Sequence, residues 1–305
     1  MDREHRILVA GSINTDLVVR TRRAPGAGET VTGTSFSTFG GGKGANQAVA
    51  VARAGGVVAM LSGVGEDDFG RQRLLDLEAE SVTISTLLTT DLASSGVALI
   101  TVEVSGQNRI AYVPGAGWEV SPEHALGALD NWNPAFVLST LELRYPTLEM
   151  LYRAARERNL TIVCNGTPEP ADGRALVTMA DVLIVNEQEA LELAESHEDE
   201  AWEHVAGRLS RLGPSIVILT LGSAGALVWH DGQVTNVPTI TVEAVDTTGA
   251  GDAFCGAFTA FLAAGEAPVA ATAKAVIAGS LAVTRAGAQP SIATLAEIES
   301  ACTGR

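Results

Sequence analysis
The chain has 305 residues and a mass of 31.5 kDa, which is one large domain or two small ones. Hydrophobic residues make up 46% and charged residues 18%, so a core can form and a disordered chain is excluded. The net charge of −16 argues against non-specific binding to nucleic acid or to an anionic membrane surface.

Other features narrow the class. No uninterrupted apolar run reaches the roughly 18 residues a membrane span needs. Residues 1–11 are charged and then apolar for about five positions, too few for the apolar core of a signal peptide. The cysteines Cys164, Cys255 and Cys302 are odd in number and show no CxxC spacing. No disulfide framework is expected, and a reducing, cytoplasmic compartment fits. Asn165-Gly166-Thr167 matches a glycosylation acceptor, which without a secretory signal is read as chance. The five histidines have no HExxH or other ligand spacing, so no zinc site is expected.

In chain order, short β-branched runs alternate with longer helical stretches. Strands are expected at 6–10, 57–61, 136–139, 161–164, 182–185 and 216–221. Helices are expected at 44–54, 69–79, 122–131, 147–158, 187–195 and 201–212. Near-continuous apolar strands such as 216–219 suit a parallel sheet covered on both faces. The alternation points to a doubly wound α/β fold, a mostly parallel sheet flanked by helices. The apolar region 253–283 is interrupted by Gly265, Glu266, Pro268 and Lys274, and reads as two buried helices. The acidic run 195–203 reads as a solvated helix start.

Two stretches break the rhythm. Strand-like runs without a helix fall at 16–20, 30–33 and 35–39. Two more fall at 96–103 and 109–113, around a Ser105-Gly106-Gln107-Asn108 turn. Residues 14–39 and 96–114 are thus expected to form a small β-sheet lid within a single 1–305 domain. Its open edges could pair with a second copy, making a homodimer.

Three motifs carry chemistry. The first is Asp246-Thr247-Thr248-Gly249-Ala250-Gly251-Asp252, followed by a helical run at 253–264. Small residues at a helix start leave amides open, and the helix dipole adds partial positive charge. This is an anion hole suited to a phosphoryl group, with Asp252 at its rim to take a proton from an attacking hydroxyl. The bland alternative is an ordinary N-cap.

The second motif is Gly40-Gly41-Gly42-Lys43-Gly44-Ala45-Asn46-Gln47, opening a helix. Lys43 is one of only two lysines in the chain, the other being Lys274. No Walker A loop occurs. Gly40-x-Gly42-x-x-Ala45 matches a loose dinucleotide fingerprint, which leaves a dinucleotide-dependent oxidoreductase as an alternative. The third motif, Gly11-Ser12-Ile13-Asn14-Thr15-Asp16, follows the first strand, where open α/β sheets bind ligands. A carboxylate such as Asp16 can accept two bonds from vicinal hydroxyls.

Read jointly, these motifs resemble the ribokinase-like (PfkB) family of sugar kinases. The resemblance also takes in Pro25-x-x-Gly28-Glu29-Thr30-Val31-x-Gly33, Gly96-Val97-Ala98-Leu99-Ile100, Asn186-Glu187-x-Glu189, Thr220-Leu221-Gly222-Ser223-x-Gly225 and Gly287-Ala288-Gln289-Pro290-Ser291. It spans nearly the whole chain.

The resemblance implies ATP-dependent phosphorylation of D-ribose at its 5-hydroxyl. A relative acting on deoxyribose, fructose or a nucleoside is the alternative. It implies Asp252 as catalytic base, with Gly249, Ala250 and Gly251 shaping the anion hole. Asn14, Asp16, Gly42, Lys43, Asn46 and Glu142 match ribose-binding positions. Asn186, Thr220, Leu221, Gly222, Ser223, Gly225, Gly251 and Val276 match nucleotide-binding positions. Glu189 matches the acidic position that places Mg²⁺ through water. Asp246, Thr248, Ala282, Arg285, Gly287 and Ser291 match a K⁺ site. Two departures stand out. Val276 occupies a position near the adenine where relatives often carry a polar residue, and Asn165-Gly166-Thr167-Pro168 replaces an Asn-Pro-Ala stretch.

Overall fold
The computed structural model describes residues 3–166 and 173–303. Thr167 and Pro168 lie outside the described residues. The first half of the chain runs β1 (Arg6–Ala10), β2 (Asn14–Thr21), β3 (Ser35–Gly41), α1 (Lys43–Arg53), β4 (Val57–Leu61), β5 (Gly63–Gly65), α2 (Asp68–Ala79), β6 (Leu88–Thr90), β7 (Gly96–Glu103), β8 (Asn108–Val113), α3 (Pro122–Trp132), β9 (Phe136–Ser139) and α4 (Tyr145–Glu157). The second half runs β10 (Thr161–Asn165), α5 (Gly173–Val177), β11 (Val182–Asn186), α6 (Glu187–Ala194), α7 (Trp202–Ser210), β12 (Ile216–Thr220), β13 (Ala226–His230), β14 (Gln233–Val237), α8 (Ala250–Ala263), α9 (Pro268–Ala282) and α10 (Leu295–Thr303).

The main sheet has eight strands in the order β14-β13-β12-β11-β10-β9-β1-β4. The pairings from β12 through β4 are parallel, and β13 and β14 add antiparallel. Side chains alternate along each strand and feed two cores. Ile7 and Val9 of β1 pack in the core formed with α1, α8 and α9. Leu8 and Ala10 pack in the opposite core, with α3, α4, α6 and α7. The doubly wound reading therefore holds, and the six expected strands and six expected helices lie within two residues of those observed.

The smaller sheet stands apart, in the order β3-β2-β7-β8. Strands β2 and β3 are antiparallel, β2 and β7 parallel, and β7 and β8 antiparallel. Residues 30–33 are not a strand: a turn closed by Glu29 N–H on the Gly26 carbonyl precedes them, and the chain joins the sheet only at Ser35. The acidic run 195–203 also differs from its expected place. Glu195 ends α6 in a left-handed conformation (φ 51°), and most of the run forms the solvated link to α7.

The hairpin of β13 and β14 was absent from the expected elements. Its signal is the two-residue turn Asp231-Gly232, with φ of 52° and 73°, the conformation that Asp-Gly favours between strands. The region 253–283 does fold as two buried helices, α8 and α9.

Strand order reverses at β1, which has β4 on one side and β9 on the other. A crevice opens at such a reversal, beyond the carboxyl ends of the two strands. The loops leaving β1 and β9 carry Ser12 and Glu142, which meet there.

Candidate active site
Asp252 lies in the first turn of α8 and is 9% exposed, well inside the cleft rather than at its rim. One carboxylate oxygen accepts from the Asn46 amide at 2.9 Å. The other accepts from the Gln47 amide at 3.0 Å. Gln47 also donates to Asn165 Oδ1 at 3.0 Å, and Asn165 donates to the Ile184 carbonyl at 3.1 Å. Two side chains from the first turn of α1 thus hold the carboxylate from opposite oxygens. Burial pushes the Asp252 carboxyl up to about 6, against the lowering effect of those two amides.

Gly249 caps α8 in the left-handed region at φ 77°, which glycine tolerates without a Cβ penalty. The Ala250 amide bonds the Thr247 carbonyl at 3.3 Å, so it is engaged in the turn instead of standing open. The Gly251 and Asp252 amides follow it in the first turn, where no earlier helical carbonyl is in reach. Asp246 braces this turn. Its carboxylate accepts from the Thr248 amide at 2.9 Å, from the Thr248 hydroxyl at 2.6 Å and from the Gly287 amide at 2.9 Å.

A pocket of about 200 Å³ opens beside Asp252. It brings together Lys43, Asn186, Glu189, Thr220, Gly249, Gly251 and Asp252, all named from the sequence, and adds Asn165 and Cys255. Asn186 caps α6, and with Glu189 forms a reciprocal capping box. Burial raises the Glu189 carboxyl above its ordinary range, and Lys43 opposes that. Lys43 also lowers the Asp252 carboxyl, so one ammonium serves both carboxylates. Beyond Thr220, Leu221 donates its amide to the Gly225 carbonyl at 2.8 Å, closing an exposed loop through Gly222 and Ser223.

A second group of sequence-named side chains gathers at the loops leaving β1 and β9 and at the start of β2. Glu142 accepts from the Ser12 hydroxyl at 2.6 Å, the Ser12 amide at 3.2 Å and the Thr140 hydroxyl at 2.9 Å. Leu141, the residue before it, is left-handed at φ 56°. That conformation costs a branched residue on the order of 1–3 kcal/mol, and here it turns Glu142 back toward β1. Asn14 is buried at the start of β2, and Asp16 is two residues on. Burial pushes the Asp16 carboxyl up to about 6, with the Arg73 guanidinium acting the other way. Gly42 is the N-cap residue of α1.

Some sequence-named residues fall elsewhere. Val276 is 5% exposed and packs in the core, outside the pocket's lining. Ala282 is buried and its carbonyl accepts from the Arg285 amide at 3.3 Å. Arg285 pairs with Glu297, and the Ser291 hydroxyl donates to the Ala288 carbonyl at 2.8 Å. Lys274 pairs with Glu266 and lies over the Phe261 ring. Gly40-x-Gly42-x-x-Ala45 follows β3 of the smaller sheet, not the first strand of a βαβ unit, so it is no dinucleotide fingerprint.

Gln47 and Arg73 were not expected from the sequence. Gln47 lies beside Asn46 in the second motif with no signal of its own, and Arg73 acts on Asp16 only through the folded chain.

The family described as pfkB family carbohydrate kinase matches residues 4–295. The chain belongs to that family. The pfkB chain is 36% identical to the ribokinase of Schizosaccharomyces pombe, with 96% of each chain covered. It is 37% identical to the ribokinase of Bacillus subtilis, covering 96% of this chain and 98% of that one. The solved structure of Arabidopsis thaliana ribokinase complexed with ribose and ATP superposes with a TM-score of 0.87 at 28% identity, covering 97% of each chain. In this pfkB carbohydrate kinase, Asp252 lines the 200 Å³ pocket and also feels the charge of Glu142.

Proposed function
We propose that the chain transfers the γ-phosphoryl group of ATP to the 5-hydroxyl of D-ribose, giving ribose 5-phosphate and ADP. The observation that carries this reading is the Asp252 carboxylate, buried at the start of α8 and held by Asn46 and Gln47. A carboxylate with its proton affinity raised by burial is suited to take the proton of an attacking alcohol.

In this reading the sugar lies between Asp252 and the Asp16–Glu142 side of the cleft. Asn14, Asp16, Gly42, Lys43, Asn46 and Glu142 bind its hydroxyls. Asp16 accepts from two vicinal hydroxyls, which favours ribose over a deoxy sugar, since losing one leaves a buried acceptor unpaired. Asn186, Thr220 and the loop through Gly225 take the nucleotide. The Gly251 and Asp252 amides receive the transferring phosphoryl, whose loose transition state needs positioning and charge stabilisation more than covalent help.

Both implied cations take oxygen donors. Glu189 would hold Mg²⁺ through water, with nucleotide phosphates as the main ligands, and the bound ion would spread the charge of the transferred group. Asp246, Ser291 and the carbonyls of Thr248, Ala282, Arg285 and Gly287 would supply the oxygen donors for K⁺, which would stiffen the loop that Asp246 already braces. The smaller sheet acts as a lid that excludes water. Its edge strands β3 and β8 are open to pairing with a second copy as a homodimer.

A panel of pentoses, hexoses and nucleosides, with coupled detection of ADP and with or without K⁺, tests the reading. D-ribose should give the highest kcat/KM, and K⁺ should raise kcat. A higher kcat/KM for another sugar or a nucleoside overturns the substrate assignment.

A further inference from the structure
Across the smaller sheet, Phe39, Asp16, Ala98 and Tyr112 stand directly opposite one another on β3, β2, β7 and β8. Residues opposed in this way project from the same face. Asp16 and Tyr112 are two strands apart, roughly 10 Å at the usual strand spacing. Between them lies only the methyl group of Ala98. The row therefore presents a carboxylate, a gap and a phenol.

Tyr112 does not point away from the main sheet. Its hydroxyl lies close enough to Ser12 and Glu142 to feel both, and the Glu142 charge helps hold the phenol's proton on. Ser12 and Glu142 are themselves bonded at 2.6 Å. The phenol thus links the smaller sheet to the crevice between β1 and β9. Its neighbours on β8, Ile110 and Val113, are each more than half exposed, while Tyr112 is 42% exposed. Trp118 fixes the other side of this wall by donating its indole N–H to the Glu142 carbonyl at 3.2 Å, with the Arg144 guanidinium over its ring.

We propose that Tyr112 is a specificity-determining residue of the sugar site, a phenol carried on the smaller sheet that walls the cleft beside Glu142. The inference deepens the sugar-kinase reading and rests on it. In this reading the furanose lies along the row, between Asp16 and the phenol, where Ala98 contributes only a methyl group. A substrate with a second ring on that side needs the space the phenol occupies. The hydroxyl, close to Ser12 and Glu142, faces the crevice and is placed to bond a sugar hydroxyl there.

The test uses the full chain carrying Tyr112→Phe or Tyr112→Ala, with the parent measured first on the sugar and nucleoside panel. Tyr112→Phe should raise the KM for the sugar about two- to tenfold, the worth of one hydrogen bond. Its kcat should change less than twofold and its KM for ATP should not move. Tyr112→Ala should raise the ratio of nucleoside to ribose kcat/KM at least tenfold. An unchanged sugar KM in Tyr112→Phe, or an unchanged ratio in Tyr112→Ala, overturns the proposal. A parent that prefers another member of the panel overturns the ribose reading alone, and the Tyr112 comparison is then made on that member.

Discussion
The Asn46 amide donates to a carboxylate oxygen of Asp252 at 2.9 Å, although 206 positions separate them in the chain. The bond joins the start of α1 to the start of α8, two helices that pack against each other on one face of the main sheet. Both glycine-rich motifs therefore converge on one carboxylate.

Replacing that carboxylate separates binding from turnover. Asp252→Asn should retain sugar affinity by calorimetry and lose about 10²–10⁴-fold in kcat, the usual contribution of a positioned base. Turnover near the parent rate would remove Asp252 from the role of base.

The pH dependence has a definite sign. Asp252 must be ionised to accept a proton, and its carboxyl is pushed up to about 6. The kcat/KM for the sugar should rise with pH through a midpoint near 6. Stability moves the other way. A carboxyl raised on folding contributes stability below the ordinary carboxylate range, and that contribution is lost as pH rises through about 6. The Tm of Asp252→Asn should therefore gain on the parent between pH 5 and pH 8, as differential scanning calorimetry would reveal.

Gln47 is expected to act on the reaction through Asp252, to which it donates at 3.0 Å. Gln47→Ala removes the donor to one carboxylate oxygen, which favours the protonated acid. The midpoint of the kcat/KM profile should move upward, and kcat at pH 7 should fall by up to about tenfold. A lower kcat with an unmoved midpoint would assign Gln47 a purely structural part.

Gly41 lies against Asp16. A Cβ at Gly41 would stand 2.3 Å from Asp16 Oδ2, and the carboxylate would have to turn away. Gly41→Ala should raise the KM for the sugar at least about tenfold while leaving the KM for ATP unchanged. Equal effects on both constants would count against Asp16 as a sugar ligand.

Asp246 is the brace of the α8 entry. Asp246→Ala frees the Thr248 and Gly287 amides it now accepts from. We expect a fall in kcat of about 10²-fold, comparable to losing an oxyanion donor, and no remaining response to K⁺ in steady-state kinetics.

Much of this site is legible in the chain because its parts are local. A glycine ahead of a helix, with small residues in its first turn, leaves amides open near the helix start, so the entry of α8 at Gly249 to Asp252 could be read directly. Asn186 and Glu189 are three residues apart and form a capping box that the spacing alone permits. Val276 shows the limit. It lies on a helix buried against α8, and only packing decided that its side chain faces the core. Ala250 shows another, since the turn from Thr247 engages an amide that the motif left open.

The sequence by itself determined the α/β alternation, the helix starts and the residue types of the chemistry, because periodicity, capping and backbone freedom act over a few residues. Tertiary structure alone decided which groups surround each carboxylate. Gln47 reaches Asp252, and Arg73 and Tyr112 come near Asp16 and Ser12, only after elements distant in the chain pack together. Burial, which raises the Asp252 and Asp16 carboxyls, is likewise set by everything packed around them and by no single stretch of chain.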